Sequence, residues 1–497
     1  MRWDGSEKNE RRKMCCIFPS SRRTLCRESS RSLPTFNSLA SRDAISEQIK
    51  KEEREREMPF NGKVVAISNE PDSRVVVATF KDAKSKKECN ELSLHGINVD
   101  QDVAAAFLEL LRHEDRLWES VELINCRGQV EAAITMTMSI DRVKCFNLVR
   151  NIEMTVGYVA LGTALQATTS LKFLRLTTSL QVSDASALAD GLKKNKSLET
   201  LDFRWSSFDA AGITELARGL HENKSIKNLH FFGCGIDDEH VAELVTALRY
   251  HPSIEVLNFN ANKCGTKGTL PIALMLQSTG CNLRKLDLSF QRIDAGEQKL
   301  DIPLLAAALS KNTSLKTLEL SSNGLDDEDA QVLADAVCDN SSLQELFLAR
   351  NKITDVGITA LAERIPEMKG LKKLSLWGNS FGEEGAKELL AGLRCNTELE
   401  ELDLFRQFQC SEQIIYFTYV NRGGRKILEK SPNAVPLSLW PLVLERANKV
   451  KLTKRRNHND QQARVDILYC LLRGPVLFAR GYDFVHPTGL SIGSTTA

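Results

Sequence analysis

Apolar and polar positions along this chain return at a fixed interval. From Leu315 the residues read LKTLELSSN, from Leu343 LQELFLARN and from Leu371 LKKLSLWGN, each start 28 residues after the last. The frame L-x-x-L-x-L-x-x-N also fits LEELDLFRQ at Leu399, LRKLDLSFQ at Leu283, IEVLNFNAN at Ile254, IKNLHFFGC at Ile226, LETLDFRWS at Leu198 and LKFLRLTTS at Leu171. Weaker copies start at Val143, Trp118 and Cys89. The longest interval, 32 residues from Leu283 to Leu315, carries the extra stretch AGEQKLD near 295–301. Insertions of this kind bulge at the rim of a repeat array.

The frame has a physical meaning. Its fourth and sixth positions, such as Leu318 and Leu320, alternate as on a strand with one buried face. Positions three, five and seven are then expected to face solvent. At position nine the chain turns off the strand, and an asparagine amide there can satisfy backbone groups of the turn. Cys126 and Cys234 stand in its place in two copies. The second half of each repeat predicts a helix. In GLDDEDAQVLADAVCDNSS, acidic residues 326–329 suit the positive end of a helix dipole, and Val332, Leu333, Ala336 and Val337 form a helical stripe. The same build recurs at 210–225, 238–253 and 383–398. Strands stack about 4.8 Å apart and helices about 8–10 Å apart, so the stack curves, with parallel strands inside and helices outside. The expected fold is an α/β right-handed solenoid with a parallel sheet on its concave face and a helical C-terminal cap.

This strand–helix repeat resembles the ribonuclease-inhibitor-like subfamily of leucine-rich repeats, over residues of about 89–406. The resemblance implies a horseshoe of about 11–12 repeats that binds protein partners on its concave face, and it brings no catalytic residue with it. The tail, with its glycine-arginine step, PLSLWPLVLERA and LYCLLRGP, resembles the C-terminal extension of uncharacterised algal, diatom-type repeat proteins.

The flanks differ in character. Residues 1–57 are charged and serine-containing without apolar periodicity, which predicts disorder ahead of a short charged helix. Over 58–88, KVVAIS and RVVVATF read as a β-hairpin cap on the first repeat. Residues 407–480 read as a helical cap, and 481–497 as a disordered tail. Within the cap, NRGGRK lacks the spacing and the hydroxyl of a phosphate-binding loop. A helix capped by Ser438, whose residues Leu439, Trp440, Leu442, Val443 and Leu444 leave almost no polar face until Glu445 and Arg446, belongs inside, as a lid on the last repeat.

Composition narrows the chemistry. Nearly balanced charge, 66 Lys and Arg against 65 Asp and Glu, a net of +1, gives no bulk-charge argument for nucleic acid as a partner. No apolar run reaches the length that spans a bilayer. The 13 cysteines include no Cys-x-x-Cys pair and the eight histidines no ligand spacing, so no metal, cofactor or small-molecule substrate is expected. Reduced cysteines point to the cytoplasm. A basic stretch from Lys449 to Arg456 offers a route to the nucleus.

On the concave face the candidate protein-binding residues form two clusters. Phe347, Trp377 and Phe405 occupy successive C-terminal repeats beside Arg350 and Arg406, while Arg204, His230 and Phe232 neighbour one another in the middle. Aromatic and arginine side chains dominate binding hot spots. The expected function is a non-enzymatic intracellular scaffold or receptor. The alternatives are a small-GTPase activator resembling the Ran GTPase-activating protein, and a ubiquitin-ligase adaptor acting through the C-terminal helix.

Overall fold

The computed structural model describes residues 63–70, 72–85, 89–113, 117–149, 157–291, 299–404, 408–422 and 425, all within the unit Gly62–Ala497. The 1–57 segment, the tail helices expected beyond 438, the basic stretch 449–456, the tail 481–497, most of the 295–301 insertion, Phe405 and Arg406 lie outside the described residues.

Each repeat contributes one strand to a 13-stranded sheet, from Lys63–Ser68 to Glu401–Asp403, joined in chain order. Neighbouring strands pair in parallel and in register, as Leu286 with Leu318 and Leu318 with Leu346. Helices such as Ala210–Glu222, Asp327–Asp339 and Glu383–Cys395 return the chain between strands. The expected frame holds: Leu315, Leu318 and Leu320 are all fully buried. In three successive repeats position six is phenylalanine. Phe203, Phe231 and Phe259 stack there with ring centroids 5.4 and 5.7 Å apart.

Asparagine amides hold both ends of the strands. At position nine, the Asn262 amide nitrogen donates to the Phe231 and Phe259 carbonyls at 2.7 and 2.8 Å. Cys234 does the same work more weakly, its thiol donating to the Phe203 carbonyl at 3.0 Å. A second series lies three residues before position one. Asn340 donates to the Leu309 and Asn312 carbonyls, and its Oδ1 accepts from the Ser342 and Leu343 amides. Asn195, Asn223, Asn312 and Asn396 repeat that pattern.

The expected β-hairpin at 58–88 is corrected. Lys63–Ser68 is a strand, but it pairs in parallel with Cys89–His95 and adds one more repeat. The segment RVVVATF lies inside the helix Ser73–Ser85. Val76, Phe80 and Ala83 fall on one helical face and are buried, with the Phe80 ring 6.0 Å from that of Phe107 on the following helix. Helical spacing and a neighbouring helix thus override the strand preference of three adjacent valines.

After the last strand comes the helix Ser411–Arg422. Arg425 is buried behind it, donating to the Asn396 carbonyl at 3.3 Å and to that of Arg394, with its guanidinium 5.2 Å from the Phe417 ring. This arginine of the NRGGRK step caps carbonyls at the end of the helix Glu383–Cys395.

Candidate functional site

The parallel register sets position-five side chains of successive repeats side by side. Arg175 lies opposite Asp202, Asp202 opposite His230, and His230 opposite Asn258. With strands about 4.8 Å apart, such neighbours touch. The expectation that these columns face solvent is therefore corrected: Asn147, Asp202, Asp287, Glu319 and Ser375 at position five are buried, as are Thr177, Phe232, Asn260, Ser289 and Ala349 at position seven.

Asp202 is the centre of the middle cluster. It is fully buried, and its Oδ2 accepts from Nε of Arg175 and Nε of Arg204, both at 2.8 Å. Its Oδ1 accepts from the Arg204 backbone amide. Burial works against its charge, but Arg175 and Arg204, helped by His230, outweigh burial and hold the carboxyl below its ordinary value. Burial pushes the His230 imidazole down to about 4; Asp202 pulls it back, and Arg204, Lys285 and Arg175 push further. His230 is therefore neutral at pH 7.

Further along the ladder, Asp287 accepts from the Asn258 and Asn260 side chains at 3.2 and 3.1 Å and from the Ser289 amide. Burial first, and then the charge of Glu319, raises its carboxyl to about 7. Glu319 is paired with Lys285 at 2.8 Å.

Phe232 is only 2% exposed, because Trp205 packs edge-on against it with centroids 4.9 Å apart. Trp205 itself occupies position eight, where successive repeats adopt a left-handed backbone. Asn125, Gly233, Ala261, Phe290, Ser322, Arg350 and Gly378 share that conformation. The indole fits because the next repeat has glycine: a Cβ on Gly233 would lie 2.7 Å from the Trp205 ring. Position eight of the C-terminal cluster is built alike. Arg350 stacks on Trp377 with its guanidinium 4.3 Å from the ring, and a Cβ on Gly378 would meet Arg350 at 2.9 Å. Phe347 is partly buried, with the Lys373 amine 5.4 Å from its ring.

The structure thus brings Arg204, His230 and Phe232 together, and Arg350 with Trp377. Reading the sequence for aromatic and arginine hot spots passed over Arg175, Asp202 and Trp205. The position-five column places Arg175 and Asp202 next to each other, and Trp205 immediately follows Arg204. Among the described residues no group of three or more His, Cys, Asp or Glu side chains could hold a metal ion. Among them, too, no helix is long and apolar enough to cross a membrane.

A leucine-rich repeat family model matches residues 311–334 and 339–362. No curated protein matches the sequence. Solved structures that resemble it include leiomodin-1 actin-binding site 2, 22% identical, covering 25% of this chain and 74% of that one with a TM-score of 0.24. An internalin of Listeria monocytogenes is 15% identical over 70% of this chain and 88% of its own, with a TM-score of 0.38. The TLR13–ssRNA13 complex is 17% identical over 64% of this chain and 39% of its own, with a TM-score of 0.39. None of these is close enough to assign an activity. The matched repeats and the parallel sheet alternating with helices agree: the chain carries leucine-rich repeats and folds as their α/β solenoid.

Proposed function

We propose that this chain is a non-enzymatic intracellular scaffold or receptor, and that it binds another protein through the strand-bearing face of the solenoid. The observation that carries this reading is the Arg350–Trp377 stack. It is a partly exposed aromatic–arginine pair on a backbone held by strands on both sides. Such side chains contribute most of the binding energy at protein interfaces, and a rigid mount reduces the entropy lost on docking. The buried thiols of Cys126, Cys234 and Cys264 suit a reducing compartment. The test is an affinity pull-down from native cell extract with wild type and Trp377→Ala, after circular dichroism shows that both fold alike. A partner lost only from the variant supports the reading. Equal recovery by both would remove the Trp377 patch from the interface.

A further inference from the structure

The N-terminal end of the same face carries two carboxylates that pair with no cation among the described residues. Glu91 and Glu122 sit on neighbouring parallel strands, Glu91 opposite Ser120 and Glu122 opposite Ser93, so they are diagonal neighbours. Glu122 takes neutral donors: its Oε1 accepts from the Asn147 amide at 2.6 Å and its Oε2 from the Ser93 hydroxyl at 3.2 Å. Among the described residues Glu91 Oε1 is buried without a hydrogen-bond partner. Burial first, then the charges of Glu122 and Glu119, raise the Glu91 carboxyl above its ordinary value. The nearby cations are engaged elsewhere, Lys144 with Glu119 at 2.6 Å and Arg175 with Asp202 at 2.8 Å.

An independent observation points to a ligand. Asn147 is only 5% exposed and its amide rests on Glu122, yet among the described residues its Oδ1 is buried without a partner. An unpaired buried acceptor costs free energy that a donor brought by a ligand would recover. Beside the acids the sheet is apolar and open. Val64, opposite Glu91 on the first strand, is 53% exposed, and Ala66, opposite Ser93, is exposed too.

We propose that this end of the concave face docks a basic segment of a partner polypeptide, an arginine head seated between Glu91 and Glu122 and its aliphatic stem lying along Val64. The site rests on the protein-binding reading and adds the chemistry of the partner to it. A guanidinium brings five N–H donors and no acceptor, in a planar fork that matches carboxylates. Its stem covers apolar surface while the head stays with the charges. A bare metal ion fits less well. It has no use for Val64, and among the described residues no group of three or more His, Cys, Asp or Glu side chains could hold one. Two carboxylates without a cation repel the phosphates of a nucleic acid.

The experiment pans a phage-displayed library of short random peptides on the full-length chain and measures the enriched peptides by fluorescence anisotropy. Enriched sequences should carry arginine. Glu91→Gln and Glu122→Gln, which keep the shape of each side chain, should each weaken them about tenfold, and Val64→Ser should weaken them less. Replacing the peptide's arginine by citrulline should cost as much as either glutamine, which reads the contact without altering the protein. No enrichment, enrichment without arginine, or binding indifferent to the Glu91 and Glu122 changes would overturn the proposal. So would displacement of the peptides by about 1 mM calcium at constant ionic strength, which would assign the carboxylates to a metal. A partner captured through Trp377 but retained by Glu91→Gln/Glu122→Gln would leave the scaffold reading standing and remove this site alone.

Discussion

Two side chains on the concave face pull stability in opposite directions over one pH range. Burial, together with Arg204, Lys285 and Arg175, takes the folded-state value of His230 from the ordinary 6.5 to about 4. Between those values the unfolded chain binds a proton that the folded chain refuses, so stability falls as pH is lowered from 6.5 towards 4. At about 1.4 kcal/mol per pH unit, that window is worth about 3 kcal/mol. Asp287 behaves in reverse. Burial and the Glu319 charge raise its folded-state value from 3.8 to about 7. There the folded chain keeps a proton that the unfolded chain releases, so stability falls as pH rises through the window, by about 4 kcal/mol on the same scale. In the wild type the two largely cancel. Urea unfolding followed by far-UV circular dichroism from pH 4.5 to 7.5 should separate them. Relative to wild type, Asp287→Asn should gain stability with rising pH, and His230→Asn should lose it. Groups remote from the two sites titrate alike in the three proteins and drop out of the differences, while Glu319 beside Asp287 and Asp202 beside His230 shift with their neighbour and belong to the measured effect. Differences of the same sign, or both below about 0.5 kcal/mol across the range, would refute the assignment.

Three further outcomes follow from the packing. Gly233→Ala puts a methyl group 2.7 Å from the Trp205 ring at a φ of 66°. It should cost at least the ~1–2 kcal/mol of a left-handed alanine, read as a lower melting temperature, and expose Trp205 to acrylamide quenching. Asn340→Ala removes two donated and two accepted hydrogen bonds to buried backbone. Its urea stability should fall by about 3–5 kcal/mol, and a loss under about 1 kcal/mol would contradict the role given to the second asparagine series. Cys234→Asn places at this position the amide that donates twice from Asn262 in the next repeat. It should hold or gain stability, by up to about 1 kcal/mol, in the same assay.

What the sequence determined by itself was the repeat. Each unit is a strand and a helix whose apolar positions bury one face locally, so Leu318, Leu320, Leu333 and the ninth-position amides could be assigned from spacing alone. The thiol substitutions at Cys126 and Cys234 were legible for the same reason, since one small polar group has one local task.

Tertiary structure decided the rest. The run of valines before Phe80 is compatible with strand or helix, and only packing against the next helix selects the helix. Whether a concave side chain is exposed depends on what stands one repeat away, so Phe232 is covered by Trp205 while Trp205 stays open. The Arg175–Asp202 contact of the Arg175–Asp202–Arg204 cluster joins residues that are distant in the chain but adjacent across parallel strands. Its charge balance, the neutral His230 and the raised Asp287 arise from desolvation and close neighbours. Those are properties of an assembled surface, and no single repeat contains them.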